Sequence, residues 1–322
     1  MVKLNTFHWH ISDSHNFPLL LKSHPELTTY SAYSMDKIYT PEDVIDIVKF
    51  AKARGIRVIP EIDIPGHVGE GWFHMNLTSC YSSKFPEVCK GAYPCGQLDP
   101  SKDEVYKVLG DIYKEVVEYF DYPEIMHMGN DEVFIECWNS SATLREWMIE
   151  KGWGLEKKDF MNLWGYFLTN AVKSLDNVHK KKVPVVLWTS TLTQEPQASI
   201  YLDKNRHIIQ IWTKGDDPEV KILLERGFNL IISNYDALYF DCGFGSWVKD
   251  GLNWCSPYNP WQKVYDNRME NIAGNNINQI HGAEAALWVE QVDEFSIDAR
   301  LWPRLSALAE RLWTSKIKLR CK

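Results

Sequence analysis

The chain has 322 residues, 45% of them hydrophobic, which is enough for one large α/β domain. A formal net charge of −8, with no basic cluster longer than His179-Lys-Lys-Lys182, argues against a nucleic-acid surface. Fourteen Trp, 15 Tyr and 13 Phe suit both a core and a pocket that stacks on flat apolar faces such as sugar rings.

In chain order, strand-like segments run Lys3 to Ile11, Ile56 to Ile64, Glu124 to Gly129, Val183 to Thr189, His207 to Thr213, Phe228 to Asn234 and Ile280 to Trp288. Helical patterns occupy Thr40 to Arg54, with Pro41 in the first turn and Gly55 at the stop, then Ser101 to Phe120, Lys158 to Val178, Pro218 to Arg226 and Asp298 to Trp313. Strands that alternate with helices predict a parallel sheet. A doubly wound sheet would need a Gly-rich turn opening a helix, which the sequence lacks. Seven βα units therefore predict an α/β fold of the TIM (β/α)8 type lacking its first unit, as one domain over residues 1–322 with an irregular tail from 314. Met1 leads directly into strand-like Val2 to Phe7, so the chain reads as cut from something longer. Residues 236–261, rich in Gly, Pro and aromatics and carrying Cys242 and Cys255, read as a stapled loop over one barrel face.

Seven cysteines, Cys80, Cys89, Cys95, Cys137, Cys242, Cys255 and Cys321, lack the CxxC pairing of a zinc ribbon and favour disulfides. With the sequons Asn76-Leu-Thr78 and Asn139-Ser-Ser141 they point to the secretory pathway and an extracellular or lysosomal location. No apolar run is long enough to span a membrane, so any tether would lie in segments outside this chain.

The stretch Glu124-Ile-Met-His-Met-Gly-Asn-Asp-Glu132 ends in adjacent carboxylates, Asp131 and Glu132. Side chains alternate along a strand, so both acids can serve one site only where the strand gives way to a loop. An exposed acidic loop is the competing reading. Other strands also end in usable groups: His8, His10 and Asp13, then Asp63 and His67, and later Trp188, Trp212, Tyr235 with Tyr239, and Trp288 with Glu290. In a barrel these would share one mouth. His8, His10, Asp63 and His67 have the ligand types of a metal site, but Trp9 and Trp188 are expected to crowd the same mouth and no later strand adds ligands. Hydrogen bonding of the histidines to carboxylates is the preferred reading, with no metal and no cofactor. Trp rings with two or three carboxylates suit glycosidic cleavage. Adjacent acids do not suit the two separated carboxylates of the usual glycosidase; they suit the substrate-assisted variant, in which the sugar's 2-acetamido group is the nucleophile.

Five ordered motifs carry a family resemblance: His8-Trp9-His10-Ile11, Asp63-Ile-Pro-Gly-His67, Gly129-Asn-Asp-Glu132, Gly282-Ala-Glu-Ala-Ala-Leu-Trp288 and the run from Arg300 to Trp313. Together they resemble the catalytic domain of family 20 β-N-acetylhexosaminidases almost from end to end. Val186 to Leu192, Val68-Gly-Glu-Gly-Trp72 and the Cys242 to Cys255 loop are most similar to the arthropod branch. The resemblance implies exo-hydrolysis of terminal N-acetylglucosamine or N-acetylgalactosamine from chitooligosaccharides, N-glycans or glycoconjugates. By it Glu132 is the general acid/base, Asp131 holds the acetamido group and Tyr239 hydrogen-bonds its carbonyl oxygen. Trp188, Trp212 and Trp288 wall the sugar pocket, Asp241 and Glu290 bind hydroxyls, and Asp13, Asp63 and His67 form a polar ring behind the acid pair. It further implies the pairs Cys80 with Cys137, Cys89 with Cys95 and Cys242 with Cys255, with Cys321 left over. A homodimer is a common state among similar enzymes. Val68, Glu70 and Trp72 are candidates for a further subsite or for plain loop packing. Asn130 stands where the family has a second Gly, a residue that tolerates positive φ, and Ser14 stands where a second Asp is common. The family's first strand and helix, with an Arg that grips outer hydroxyls, would lie upstream of this chain. The rival reading is a truncated, inactive isoform that binds sugar or a partner without hydrolysis.

Overall fold

A computed structural model describes residues 2–81, 96–246 and 250–314, arranged as two compact units. The expected Cys89–Cys95 pair, Cys321 and most of the tail lie outside the described residues.

The unit of residues 5–202 holds four strands. In order it runs β1 (Thr6–Ser12), α1 (Pro25–Ser31), α2 (Pro41–Lys52), β2 (Arg57–Ile64), α3 (Glu70–His74), α4 (Asp103–Tyr119) and β3 (Met126–Gly129). It continues with α5 (Ile135–Ser140), α6 (Ala142–Glu150), α7 (Lys157–Val178), β4 (Val185–Trp188) and α8 (Gln197–Tyr201). Neighbouring strands are parallel, as helical crossovers require. Helix α2 starts as its sequence dictates: Thr40 and Asp43 form a reciprocal capping box and Pro41 takes the first turn. Helix α4 buries Val105, Val108, Leu109, Ile112 and Val116, the i, i+3, i+4, i+7 stripe, and packs against α7. Each such side chain contributes about 1.5–3 kcal/mol on leaving water.

The second unit comprises residues 203–322 with residues 1–4. It contains β5 (His207–Ile211), α9 (Pro218–Arg226), β6 (Asn229–Ile232), α10 (Tyr235–Leu238), α11 (Trp261–Asp266) and α12 (Met269–Ala273). Strand β7 (Ile280–Ala283), α13 (Ile297–Leu301) and α14 (Arg304–Trp313) complete it. Again β5, β6 and β7 are parallel neighbours. Gly227 closes α9 in the left-handed region at φ 87°.

All seven expected strands are present, though β7 stops at Ala283, short of the Trp288 expected from the pattern. The helix expected over Asp298 to Trp313 is two helices. Trp302 precedes Pro303, is extended (φ −100°, ψ 140°), and cannot continue a helix into a residue without an N–H. Among the described residues Cys80 pairs with Cys137 and Cys242 with Cys255, as the resemblance implied. No helix of the described residues is long and apolar enough to cross a membrane.

Candidate active site

The site of the first unit is assembled by strand register. His10 lies beside Glu61 across β1 and β2, and Glu61 beside His127 across β2 and β3. Because side chains alternate, His8 and His10 share one face of β1 while Trp9 takes the other. Trp9 packs edge-on against Tyr39 and Phe120, so the expectation that it crowds the histidines is overturned by strand period alone.

At the end of β3 the backbone leaves the strand through the left-handed region at Gly129 (φ 63°), Asn130 (φ 73°) and Glu132 (φ 47°). This breaks the two-residue alternation at the acid pair, as one shared site requires. Gly129 is obligatory: a Cβ there would sit 1.7 Å from Asp63 Oδ1. Asn130 accepts its positive φ, donates its backbone N–H to Asp63 Oδ1 (3.1 Å) and accepts from Trp164 Nε1 (2.9 Å). Asp131 Oδ1 is buried and accepts no hydrogen bond among the described residues. Glu132 is exposed, with Oε2 3.4 Å from His67 Nε2. The other ring nitrogen of His67 lies 3.0 Å from Asp13 Oδ1, so Asp13, His67 and Glu132 form a line.

The charges follow from this packing. Burial pushes the Asp131 carboxyl up to about 7, a rise that His67 opposes and Glu132 and Glu61 reinforce. Burial also lifts Asp63 well above the usual carboxylate range, with the charge of Asp131 adding to it. Asp13 behaves oppositely: burial works against its charge, yet the His67 and His10 rings hold its carboxyl well below the ordinary value. In the same way Asp13 and Asp63 outweigh the burial of His67 and keep its ring well above the ordinary imidazole range.

The residue that the sequence reading missed is Glu61, fully buried inside β2. Its Oε2 lies 2.8 Å from His8 Nε2 and 2.8 Å from His10 Nδ1; its Oε1 accepts from Trp188 Nε1 at 2.8 Å and lies 3.2 Å from His127 Nδ1. The signal was available: an acid inside the apolar run Val58 to Ile64 has to be paired. Donor atoms of His8, Glu61 and His127 lie within 4.8 Å of one another, as do those of Asp63, His67 and Asp131, and could be imagined around a cation. In the first group the Glu61 oxygens lie against ring nitrogens of His8 and His127; in the second, Asp131 Oδ1 is left without a hydrogen bond among the described residues. Trp188 is almost wholly buried, with its ring near those of His8 and His127. Val68 and Trp72 are core residues, so loop packing accounts for them. Glu70 accepts from the Tyr81 hydroxyl.

In the second unit Tyr239 packs with the Cys242–Cys255 disulfide, and Trp212, Tyr235 and Trp288 close over that cluster. Trp254, also missed, stands 64% exposed with its ring 5.0 Å from Tyr235, 6.0 Å from Trp212 and 6.1 Å from Tyr239. Burial raises the Asp241 carboxyl to about 6, with Glu290 adding to the rise, and Asp241 Oδ1 accepts weakly from the Trp288 backbone at 3.5 Å. Glu290 itself is exposed.

Residues 1–316 match the family described as glycosyl hydrolase family 20, catalytic domain. A chitooligosaccharidolytic β-N-acetylglucosaminidase of Ostrinia furnacalis is 51% identical over 313 residues, 97% of this chain and 52% of that relative. The probable β-hexosaminidase fdl of Drosophila melanogaster is 36% identical over 325 residues, 98% of this chain and 47% of that relative. The chain thus spans about half the length of the curated relatives it matches. The structure of a Vibrio harveyi exo-β-N-acetylglucosaminidase in complex with N-acetylglucosamine superposes with a TM-score of 0.78 at 25% identity, covering 98% of this chain and 50% of that one. Its likeness carries the barrel-type fold of parallel βα units expected from the sequence.

Proposed function

Because the chain belongs to glycosyl hydrolase family 20, we propose that it is a glycosidase releasing terminal non-reducing N-acetylhexosamine by a retaining, substrate-assisted mechanism. The observation that carries this reading is the end of β3, where left-handed backbone brings Asp131 and Glu132 out of strand alternation with His67 and Asp13 behind Glu132.

In this mechanism Asp131 accepts from the acetamido N–H and orients the group, and the acetamido oxygen attacks the anomeric carbon. Glu132 protonates the departing glycosidic oxygen. The oxazolinium-like intermediate is cationic, and a desolvated Asp131 carboxylate stabilises positive charge more strongly than a hydrated one would. Glu132 then takes a proton from the water that opens the ring, so that the configuration is retained. Asp63 and His67 complete the polar ring, and Trp188, Trp212, Trp288, Tyr239, Asp241 and Glu290 keep the sugar-binding roles that the resemblance gives them. Chitooligosaccharides are the substrate class favoured by the 51% identical relative. The exposed sequon residues Asn76 and Asn139 and the two disulfides support passage through the secretory pathway.

The test is hydrolysis of a chromogenic β-N-acetylglucosaminide by the wild type, Glu132→Gln and Asp131→Asn. Loss of a positioned acid or acetamido partner lowers kcat by about 10²- to 10⁴-fold. Saturable sugar binding with no turnover by the wild type would establish the non-hydrolytic reading instead.

A further inference from the structure

His10 has both ring nitrogens against carboxylate oxygens: Nδ1 is 2.8 Å from Glu61 Oε2 and Nε2 is 3.1 Å from Asp13 Oδ2. Two such contacts need two N–H groups, because an unprotonated ring nitrogen facing a carboxylate oxygen would set lone pair against lone pair. Asp13 in turn is held at both oxygens, Oδ2 by His10 and Oδ1 by His67 Nδ1 at 3.0 Å and by the Ser14 backbone N–H at 2.5 Å. The line therefore runs Glu61, His10, Asp13, His67, Glu132, with anion and imidazole alternating from the strand interior to the exposed acid. We infer that Glu61 is a positioning residue for the reaction: its buried negative charge keeps His10 doubly protonated, and His10 fixes Asp13 so that His67 is aligned on Glu132.

This role deepens the proposed hydrolase reading and rests on it. Glu61 sits at the crossing of three strands by register, not on a loop, so the line has a rigid root. The titratable groups facing it are His8 and His10 from β1 and His127 from β3, with the carboxyls of Asp63 and Asp131 also interacting with its charge. Those acting on His10 are Glu61 and Asp13, with the charges of Asp63 and Asp131 nearby. The Trp188 indole N–H completes its shell, so the same carboxylate ties a Trp assigned to the sugar wall to the acid line. Burial works against charge on His10, and Glu61 followed by Asp13 reverses the balance, holding the ring well above the ordinary imidazole range.

The test separates charge from shape. Glu61→Gln is isosteric: its carboxamide oxygen can still accept from Trp188 and its NH₂ can donate to a neutral His10 Nδ1, so only the negative charge is lost. With ¹⁵N-histidine labelling, the wild-type His10 signal, assigned by its loss in His10→Gln, is expected to show both nitrogens protonated at pH 7.5. In Glu61→Gln it is expected to show one. Alongside, kcat should fall about 10- to 100-fold with KM changed less than about twofold, as misalignment of a catalytic acid gives. A His10 carrying one proton in the wild type, or a Glu61→Gln protein with unchanged kcat, overturns the inference. If Glu61→Gln does not fold, the wild-type spectrum alone decides. Failure of the wild type to hydrolyse any N-acetylhexosaminide would remove the proposed function while leaving the spectrum readable.

Discussion

In the unit of β1 to β4 the strand-end side chains are held by charge: Glu61, Asp13, His10 and His67 grip one another, and Asp63 receives the N–H of the β3 turn. In the unit of β5 to β7 they are held by covalent and aromatic means. There the Cys242–Cys255 bridge, the rings around Tyr239 and the buried Arg304 guanidinium fix the segment that carries Asp241. The first arrangement suits proton movement, which needs groups whose charge can change. The second suits the faces of a sugar, which need rings that keep their place. The two should fail differently.

The largest effect is expected from Gly129→Ala. The left-handed φ costs about 1–2 kcal/mol for a residue with a Cβ, and that Cβ would displace the Asp63 carboxyl and its bond to Asn130. Hydrolysis should fall at least about 100-fold, while hydrogen exchange in β5 to β7 stays at wild-type rates. Gly152→Ala supplies the control: its φ is 76° but nothing lies within 4 Å of the added Cβ, so a lower melting temperature with unchanged activity is expected. Equal losses in both would show that strain, not the Asp63 contact, matters at Gly129.

Next comes Arg304→Met. Arg304 donates to the carbonyls of Phe240, Asn259 and Arg300, and its guanidinium lies over the rings of Phe240 and Tyr258, so it ties together both stems of the loop between them. Leaving these buried carbonyls unpaired costs about 1–3 kcal/mol each. Local exchange in residues 240–259 should accelerate and KM should rise about tenfold, a loss of about 1.4 kcal/mol of binding, with kcat nearly kept. A fall in kcat alone would break the division between the two regions.

Much of this was legible in the sequence. Strand positions followed from apolar runs between helical patterns, and the Asp131–Glu132 pair announced itself because a strand cannot aim adjacent side chains at one site. Three things were hidden for physical reasons. Glu61 looked like part of an apolar strand because its partners, His8, His10, His127 and Trp188, lie far from it in sequence and meet it only through register. The break at Trp302 was masked by the apolar periodicity of Leu305, Leu308 and Leu312, which outweighed a single proline in the pattern. Trp254 was passed over as one aromatic among many in a loop, and only its exposure sets it apart.

Acidity offers a subtler contrast. Glu61 and Asp13 are held below their ordinary values of 4.5 and 3.8, so their contribution to stability is present above those values and is lost as pH falls through the lowered ones. His10 and His67 are held above 6.5, so their contribution is complete below 6.5 and is lost as pH rises through the raised values. The raised carboxyls Asp63 and Asp131 lower stability as pH rises from 3.8 through their raised values, because the folded state keeps protons that the unfolded chain releases. The β1 to β4 unit should therefore lose stability as pH falls through the lowered values of Glu61 and Asp13, and also as pH rises, first through Asp63 and Asp131 and then through the raised values of His10 and His67. Exchange rates corrected for intrinsic chemistry, compared at pH 5.5 and 8.5, should show β1 to β3 losing protection more than β5 to β7. Uniform loss across both units would contradict the charge-held description of the first.

The smallest effect should come from Trp254→Ala. An exposed ring that touches Trp212, Tyr235 and Tyr239 only through edge-on or tilted contacts contributes little to folding, so stability should change by less than about 0.5 kcal/mol, the range of most surface substitutions. Its open face can contribute to sugar binding, because an apolar pyranose face gains from covering an indole. KM for N-acetylglucosamine oligomers should therefore rise a few-fold at constant kcat, an energy close to that of a single aromatic contact, about 0.5–1.5 kcal/mol. Replacement by Phe should recover most of it. A change in kcat without a change in KM would assign Trp254 to the chemistry and remove the simplest distinction between a region suited to moving protons and a region suited to holding a sugar ring.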